Sequence, residues 1–176
     1  VYAPLITGCT TVFYEGKPVR TPDAGAYWRV ISDYGVKVMF TAPTGFRAVK
    51  KEDPNGLLKQ KYNLASLRYL FLAGERCDVA TLEWAQKLLG IPVIDHWWQT
   101  ESGWPMLANL AGVELMSVPP GSVGKPVPGF HVQIIDSDIN IMKPGEEGAV
   151  GIRLPLPPGC LPTLWRAPDQ FKESYL

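Results

Sequence analysis

The sequence predicts an α/β fold, with a parallel sheet flanked by helices and followed by a small β subdomain. Over residues 1–115, short apolar runs alternate with amphipathic helical stretches, the order that builds parallel sheets. The apolar runs are nearly continuous, as suits strands buried between layers of helix. From about residue 116 the texture changes to a connector rich in Pro and Gly and then to short strands. The expected organisation is an α/β segment over 1–115 and, over 116–176, a Pro/Gly-rich connector with a partial β subdomain.

Each element has a local signal. Thr10–Tyr14 is β-branched and aromatic and is closed by Glu15-Gly16-Lys17-Pro18, so a strand is expected there. Thr21-Pro22-Asp23 reads as N-cap, first-turn proline and early acid. Tyr27, Val30, Ile31 and Tyr34 follow at i, i+3, i+4 and i+7, and Gly35 closes that helix. Val36–Phe40 predicts a buried strand that leads into Thr41-Ala42-Pro43-Thr44-Gly45. A second helix runs from about Thr44 to Lys51, and Glu52–Gly56 is a loop. The unit then recurs. Arg68–Leu72 is a strand, and Asp78 caps a helix with Leu82, Ala85 and Leu89 on one side and Gly90 at its end. Pro92–Ile94 is the next strand and runs into Asp95-His96-Trp97-Trp98-Gln99-Thr100-Glu101. Farther along, Pro119–Gly129 is the connector, and Val132–Ile135 and Ala149–Ile152 are short strands around a Lys143–Glu146 turn. Leu154–Pro168 holds five prolines and has no regular structure, while the stretch ending at Leu176 has helical character.

Composition removes several classes of function. With 46% hydrophobic and 19% charged residues over 176 positions, the chain is not intrinsically disordered. No apolar run approaches the ~20 residues that span a bilayer, so no membrane partner is expected. Lys+Arg and Asp+Glu each total 17, which leaves no net field for nucleic acid. Cys9, Cys77 and Cys160, odd in number and without paired spacing, point to a reducing compartment; the cytoplasm is the default expectation and the mitochondrial matrix the alternative. Two histidines with no Cys/His cluster exclude a structural zinc site.

Open parallel sheets bind ligands beyond the carboxyl ends of their strands. Three segments follow successive strands and share that expected edge: Thr41–Gly45, Ala73–Arg76 and Asp95–Glu101. The third packs two indoles among five polar side chains, which suits a ligand with an apolar part and a metal-bound phosphate. Paired tryptophans are more often core anchors, and Gly74-Glu75 alone is an ordinary strand-to-helix turn. No GxxxxGK[ST], GxGxxG or GxSxG occurs, so phosphate-loop and nucleophile-elbow chemistries are absent from the segment.

VYAPLITGCTTVFYEG, VKVMFTAPTGFRAV, LFLAGERCD and VIDHWWQTESGWP together resemble the AMP-forming short-chain acyl-CoA synthetases, the acetyl- and propionyl-CoA synthetases of the adenylate-forming superfamily. The likeness covers the whole chain in the family's motif order. GERCD and DHWWQTE are more similar to the propionyl-type branch than to the acetyl-type, which tends to read GEP and DTWWQTE. The resemblance implies a segment of the family's large N-terminal domain and a two-step reaction. Carboxylate and ATP give acyl-AMP and pyrophosphate, and CoA then displaces AMP to give the thioester.

By motif, the resemblance places Gly74, Glu75 and Arg76 on the adenine-contacting segment, Arg76 by its backbone only. It places Asp95, His96, Trp97, Trp98, Gln99 and Thr100 on the second nucleotide segment. Asp95 falls near the adenine amino group, Thr100 at the α-phosphate and Glu101 at Mg2+, so that Thr100 and Glu101 are the catalytic candidates. Trp98 and Ala73 would shape the acyl pocket, and Ala42 would lie where the CoA thiol arrives. The implied ligands are ATP with Mg2+, a short-chain carboxylate and CoA. The phosphate loop is expected upstream of Val1, and the ribose-binding Asp and the catalytic Lys beyond Leu176. The isolated segment is accordingly expected to be inactive. A non-catalytic relative, acting only as a folded nucleotide-binding piece, is the alternative.

Overall fold

The structure, a computed structural model, describes residues 2–176. Two compact units partition the chain. One comprises the residues up to Asp95 with Pro119–Gly121; the other comprises His96–Val118 and Ser122–Leu176. Residues 96–115, which the change of texture groups with the α/β segment, pack with the second unit.

The first unit is a three-stranded parallel sheet with its helices. In chain order it contains α1 (Tyr2–Ile6), α2 (Ala26–Tyr34), β1 (Val38–Thr41), α3 (Pro43–Glu52), β2 (Tyr69–Leu72), α4 (Val79–Leu89) and β3 (Val93–Asp95). The sheet order is β1-β2-β3, with every pairing parallel. The alternation of strand and helix in the sequence thus becomes the βαβ architecture it predicts. Local chemistry sets the ends of α4. Asp78 accepts a hydrogen bond from the Thr81 N–H at 2.8 Å, and Gly90 takes the left-handed conformation at φ 67° that closes the helix.

Three expectations change. Thr10–Tyr14 forms no strand, because no described strand offers it a ladder. Instead Tyr14 packs edge-on against Tyr27 with ring centroids 6.1 Å apart, and its hydroxyl lies 3.0 Å from Thr21 Oγ1. The helix expected from Thr21-Pro22-Asp23, α2, starts at Ala26 rather than near Pro22, and Asp23 accepts the Gly25 N–H ahead of it. Its buried stripe is Ala26, Trp28 and Ile31, while Tyr34 is exposed. The large Trp28 ring decides that rotation, since it sits fully buried against Phe46 at 5.9 Å. Finally, the first strand is not buried on both faces. Met39, Leu70, Leu72 and Val93 join the core with α2, α3 and α4, while on the opposite face Val38 and Phe40 are 52% and 58% exposed.

The second unit is built from short antiparallel ladders. β4 (Leu107–Ala108) pairs with β5 (Lys125–Pro126), and β6 (Val132–Ile135) pairs with β7 (Ala149–Ile152). The latter pair lies where the sequence predicts short strands. β4 and β5 are too short to leave a periodic signal. Leu154–Ala167 is irregular, as its prolines require, and α5 (Pro168–Tyr175) follows. Met106, Ala108, Val127 and Phe130 form the unit's core. Gly124 permits the β4–β5 approach: it has φ +96°, and a Cβ there would collide with the Ala108 carbonyl group and the Asn109 backbone nitrogen.

The core of the first unit yields a stability prediction. Phe46 is fully buried and meets Tyr27, Trp28 and Trp84 at 5.9–6.3 Å. Phe46→Ala is expected to cost about 3–5 kcal/mol, read as a lower urea midpoint. A loss below about 1 kcal/mol would mean that the ring cluster does not hold the helices on the sheet.

Candidate functional site

The three parallel strands end in step. Thr41 is the register partner of Leu72, and Leu72 of Asp95. The Ala73 N–H extends the ladder by donating to the Thr41 carbonyl at 3.2 Å. Ala42, the loop Ala73–Arg76 and Asp95 therefore gather at one sheet edge, as the sequence predicts. Ala42 is exposed and stands in extended conformation immediately before α3. Ala73 is buried, whereas Gly74, Glu75 and Arg76 are exposed. Gly74 has φ +100° with open space around it, so the backbone turn, not crowding, calls for glycine there.

Glu75 turns its carboxylate toward the start of α3. Oε1 accepts the Thr44 backbone N–H at 2.7 Å and the Thr44 hydroxyl, and Oε2 pairs with Arg47 at 2.5 Å. The N–H groups of a helix's first turn lack partners within the helix and carry partial positive charge, so an anion is stabilised there. Asp95 braces the same loop from below: it is buried, and its Oδ2 accepts the Cys77 N–H at 3.3 Å.

In the second unit, the segment from His96 to Glu101 opens a tight turn. Trp97 bridges Leu107 antiparallel, donating its N–H to Leu107 O and accepting that of Met106, both at 2.9 Å. Its indole packs on the second core, so the core-anchor reading applies to Trp97. The adjacent Trp98 is 37% exposed. His96 is buried, while Gln99 and Thr100 are exposed. The Ser102 N–H donates to Gln99 O at 3.1 Å, and its hydroxyl lies 2.8 Å from the carbonyl oxygens of both Gln99 and Trp104. Glu101 is half-buried. Its carbonyl accepts the Leu161 N–H at 2.9 Å, and its Oε1 accepts the Tyr175 hydroxyl at 3.2 Å. That hydrogen bond to a carboxylate pushes the Tyr175 phenol up from its ordinary value.

Sequence reasoning passed over Arg47, Ser102 and Tyr175. Ser102 left a usable signal, because Thr-Glu-Ser-Gly is a hydroxyl-bearing turn. Arg47 and Tyr175 reach partners 28 or more positions away in the chain and left none.

The parallel sheet flanked by helices makes this an α/β protein, and in open sheets of that kind ligands bind beyond the carboxyl ends of the strands. The chain belongs to the AMP-binding enzyme family, which matches residues 1–157. It is 50% identical over 175 residues to the mitochondrial acyl-CoA synthetase short-chain family member 3 of Mus musculus, covering 99% of this chain and 26% of that protein. Against the propionate–CoA ligase of Escherichia coli the identity is 41% over 178 residues, covering 99% of this chain and 28% of that protein. Among solved structures it resembles the anthranilate CoA ligase AuaEII in complex with anthranoyl-AMP. The TM-score is 0.68 at 28% identity, covering 83% of this chain and 26% of the other. The chain thus spans 26–28% of the length of these curated relatives. No helix among the described residues is long and apolar enough to cross a membrane.

Cys77 stands next to the loop but is chemically quiet. Burial pushes its thiol up to about 11, and the Asp95 and Asp78 carboxylates add to the shift. The raised value in the folded state makes the neutral thiol the favoured form. Its contribution to stability is complete below the unfolded thiol's ordinary value and is lost as pH rises toward 11. At pH 8 only about one molecule in 10³ carries the thiolate. Iodoacetamide at pH 8 is therefore expected to leave Cys77 unlabelled in the native protein and to modify it in urea, as read by peptide mass spectrometry. Stoichiometric native labelling at pH 8 would contradict this placement.

Proposed function

We propose that the protein carrying this chain is an AMP-forming short-chain acyl-CoA synthetase that activates propionate or acetate. The observation that carries this reading is sustained identity: 41–50% across 99% of the chain to a propionate–CoA ligase and an acyl-CoA synthetase. The strand-end edge supports it with a place for the nucleotide. The backbone of Gly74–Arg76 receives adenine, with Asp95 beside it, and the exposed Thr100 hydroxyl holds the α-phosphate. His96, Trp97 and Gln99 shape the second nucleotide segment, Trp97 through its packing and Gln99 through its backbone. Trp98 limits the acyl chain, Ala73 gives it room, and Ala42 receives the CoA thiol. The proposed compartment is the cytoplasm, with the mitochondrial matrix as the alternative.

The two steps ask different things of these residues. In the first, a carboxylate oxygen attacks the α-phosphorus and pyrophosphate leaves, so negative charge moves outward along the phosphates. The described residues hold no cluster of three His, Cys, Asp or Glu side chains that could grip a metal alone. A divalent cation at Glu101 would take its other ligands from phosphate oxygens and water, the usual habit of Mg2+. Bound there, Mg2+ would neutralise the departing charge. In the second step the CoA sulfur attacks the acyl carbonyl and AMP leaves. A small side chain at Ala42 keeps that approach open.

Carboxylate-dependent exchange of radiolabelled pyrophosphate into ATP, run with the full-length protein on acetate, propionate and butyrate, tests the reading. Propionate or acetate should support exchange; no carboxylate-dependent exchange at all would refute it. Glu101→Gln is expected to lower the exchange kcat roughly 10²-fold while the KM for ATP moves little, because the carboxylate acts mainly as charge develops. Near-normal exchange at saturating Mg2+ would remove Glu101 from that role. Ala73→Val fills space next to the proposed acyl chain. The propionate-to-acetate ratio of kcat/KM should fall by roughly 10-fold or more, the value of about one methylene in an apolar pocket. An unchanged ratio would show that Ala73 serves only strand packing.

A further inference from the structure

Arg47 lies in the stretch VKVMFTAPTGFRAV, where the resemblance gives it no role, yet three separate elements of the first unit converge on it. Its guanidinium pairs with Glu75 Oε2 at 2.5 Å and with Asp78 Oδ2 at 3.3 Å, and lies 3.2 Å from Thr44 Oγ1. Thr44 is in the first turn of α3, Glu75 is in the loop after β2, and Asp78 is the N-cap of α4. The planar fork of Arg satisfies several acceptors at fixed angles, which a Lys ammonium cannot do.

An isolated pair at this exposure contributes little: both side chains are 37% exposed, and such pairs are worth about 0–1 kcal/mol. Here the second oxygen of the same carboxylate is held by the Thr44 N–H at the positive end of α3. Glu75 is thus fixed from two sides. Arg76 makes no side-chain hydrogen bond or ion pair with the described residues, and Gly74 has no side chain. The grip of Glu75 on α3 and the Cys77–Asp95 bond are therefore what set the path of the loop.

We infer that Arg47 is a positioning residue. It holds Glu75 against the start of α3, and so fixes the Gly74–Arg76 backbone relative to the Ala42–Thr44 turn. The inference deepens the proposed function and rests on it for the identity of the ligand. Glu75 then acts on the protein rather than on the nucleotide, and removing either partner loosens the same loop. Because Ala42 and the loop are tied through one carboxylate, the nucleotide and thiol segments move together.

The test uses the full-length protein with Arg47→Met, Arg47→Lys, Glu75→Gln and the Arg47→Met/Glu75→Gln double variant. KM for ATP, KM for the carboxylate and the thermal midpoint are read for each. Arg47→Met and Glu75→Gln should each raise the KM for ATP roughly tenfold, the scale of one charge-assisted hydrogen bond. The thermal midpoint should stay within about 2 °C, since the groups are exposed. The double variant should be no worse than the poorer single one, and Arg47→Lys should recover part of the loss. A lower midpoint with unchanged KM for ATP would make Arg47 merely structural and overturn the inference. So would single effects that multiply in the double variant. If Arg47→Met fails to fold, Arg47→Lys and Glu75→Gln are read by the same criteria. Amide hydrogen exchange separates this claim from the proposed activity, because it needs no turnover. Faster exchange at Thr44 and Cys77 in Arg47→Met supports the inference even if the wild type shows no pyrophosphate exchange, and unchanged protection there overturns it.

Discussion

Parallel pairing sets Thr41, Leu72 and Asp95 side by side, and because the three strands run the same way, the chain leaves each of them at the same edge. A ladder shifted by one residue would reverse every side chain of a strand. Leu70 and Leu72 would then leave the core, and the loop after β2 would start one position early. The core that α2, α3 and α4 build on Leu70 and Leu72 therefore also sets the placement of Ala42, Gly74 and Asp95.

On that edge, buried and exposed groups divide the work. Asp95 is buried and satisfies the Cys77 N–H, an interaction that a low-dielectric setting strengthens. Glu75 and Arg47 are partly exposed, so their value lies in direction rather than in free energy. Asp78 carries both duties, since it caps α4 and meets Arg47. Burial opposes its ionisation, but the Thr81 N–H and hydroxyl and the Arg47 guanidinium together hold its carboxyl below the ordinary value. In the second unit Ser102 does comparable work by closing the turn that carries Thr100 and Glu101.

What the sequence revealed follows from how local each signal is. The Asp78 cap, the Gly90 terminator and the β6–β7 strands are encoded within a few residues of where they act, and they appear as expected. Thr10–Tyr14 misled, because strand propensity describes a surface that fits a neighbouring strand, and no described strand pairs with it. The α2 stripe misled because Trp28 outweighs the tyrosines in buried area. The exposed face of β1 was hidden because an apolar run reads the same whether one face or both are covered. At the site, the gathering of the loops at the strand ends was legible, whereas the Glu75–Arg47 and Glu101–Tyr175 contacts join positions far apart in the chain and had to be seen in three dimensions.

The central claim is that the carboxyl edge of the parallel sheet receives an acyl-adenylate. A crystal structure of the full-length protein with a propyl ester of AMP, a stable mimic of that intermediate, tests it most directly. The account predicts adenine along the Gly74–Arg76 backbone, the phosphate at the Thr100 hydroxyl, and the Glu75 carboxylate still bound to Thr44 and Arg47 rather than to the ligand. Nucleotide density away from these residues, or a Glu75 side chain released from α3 to contact the ligand, would contradict it.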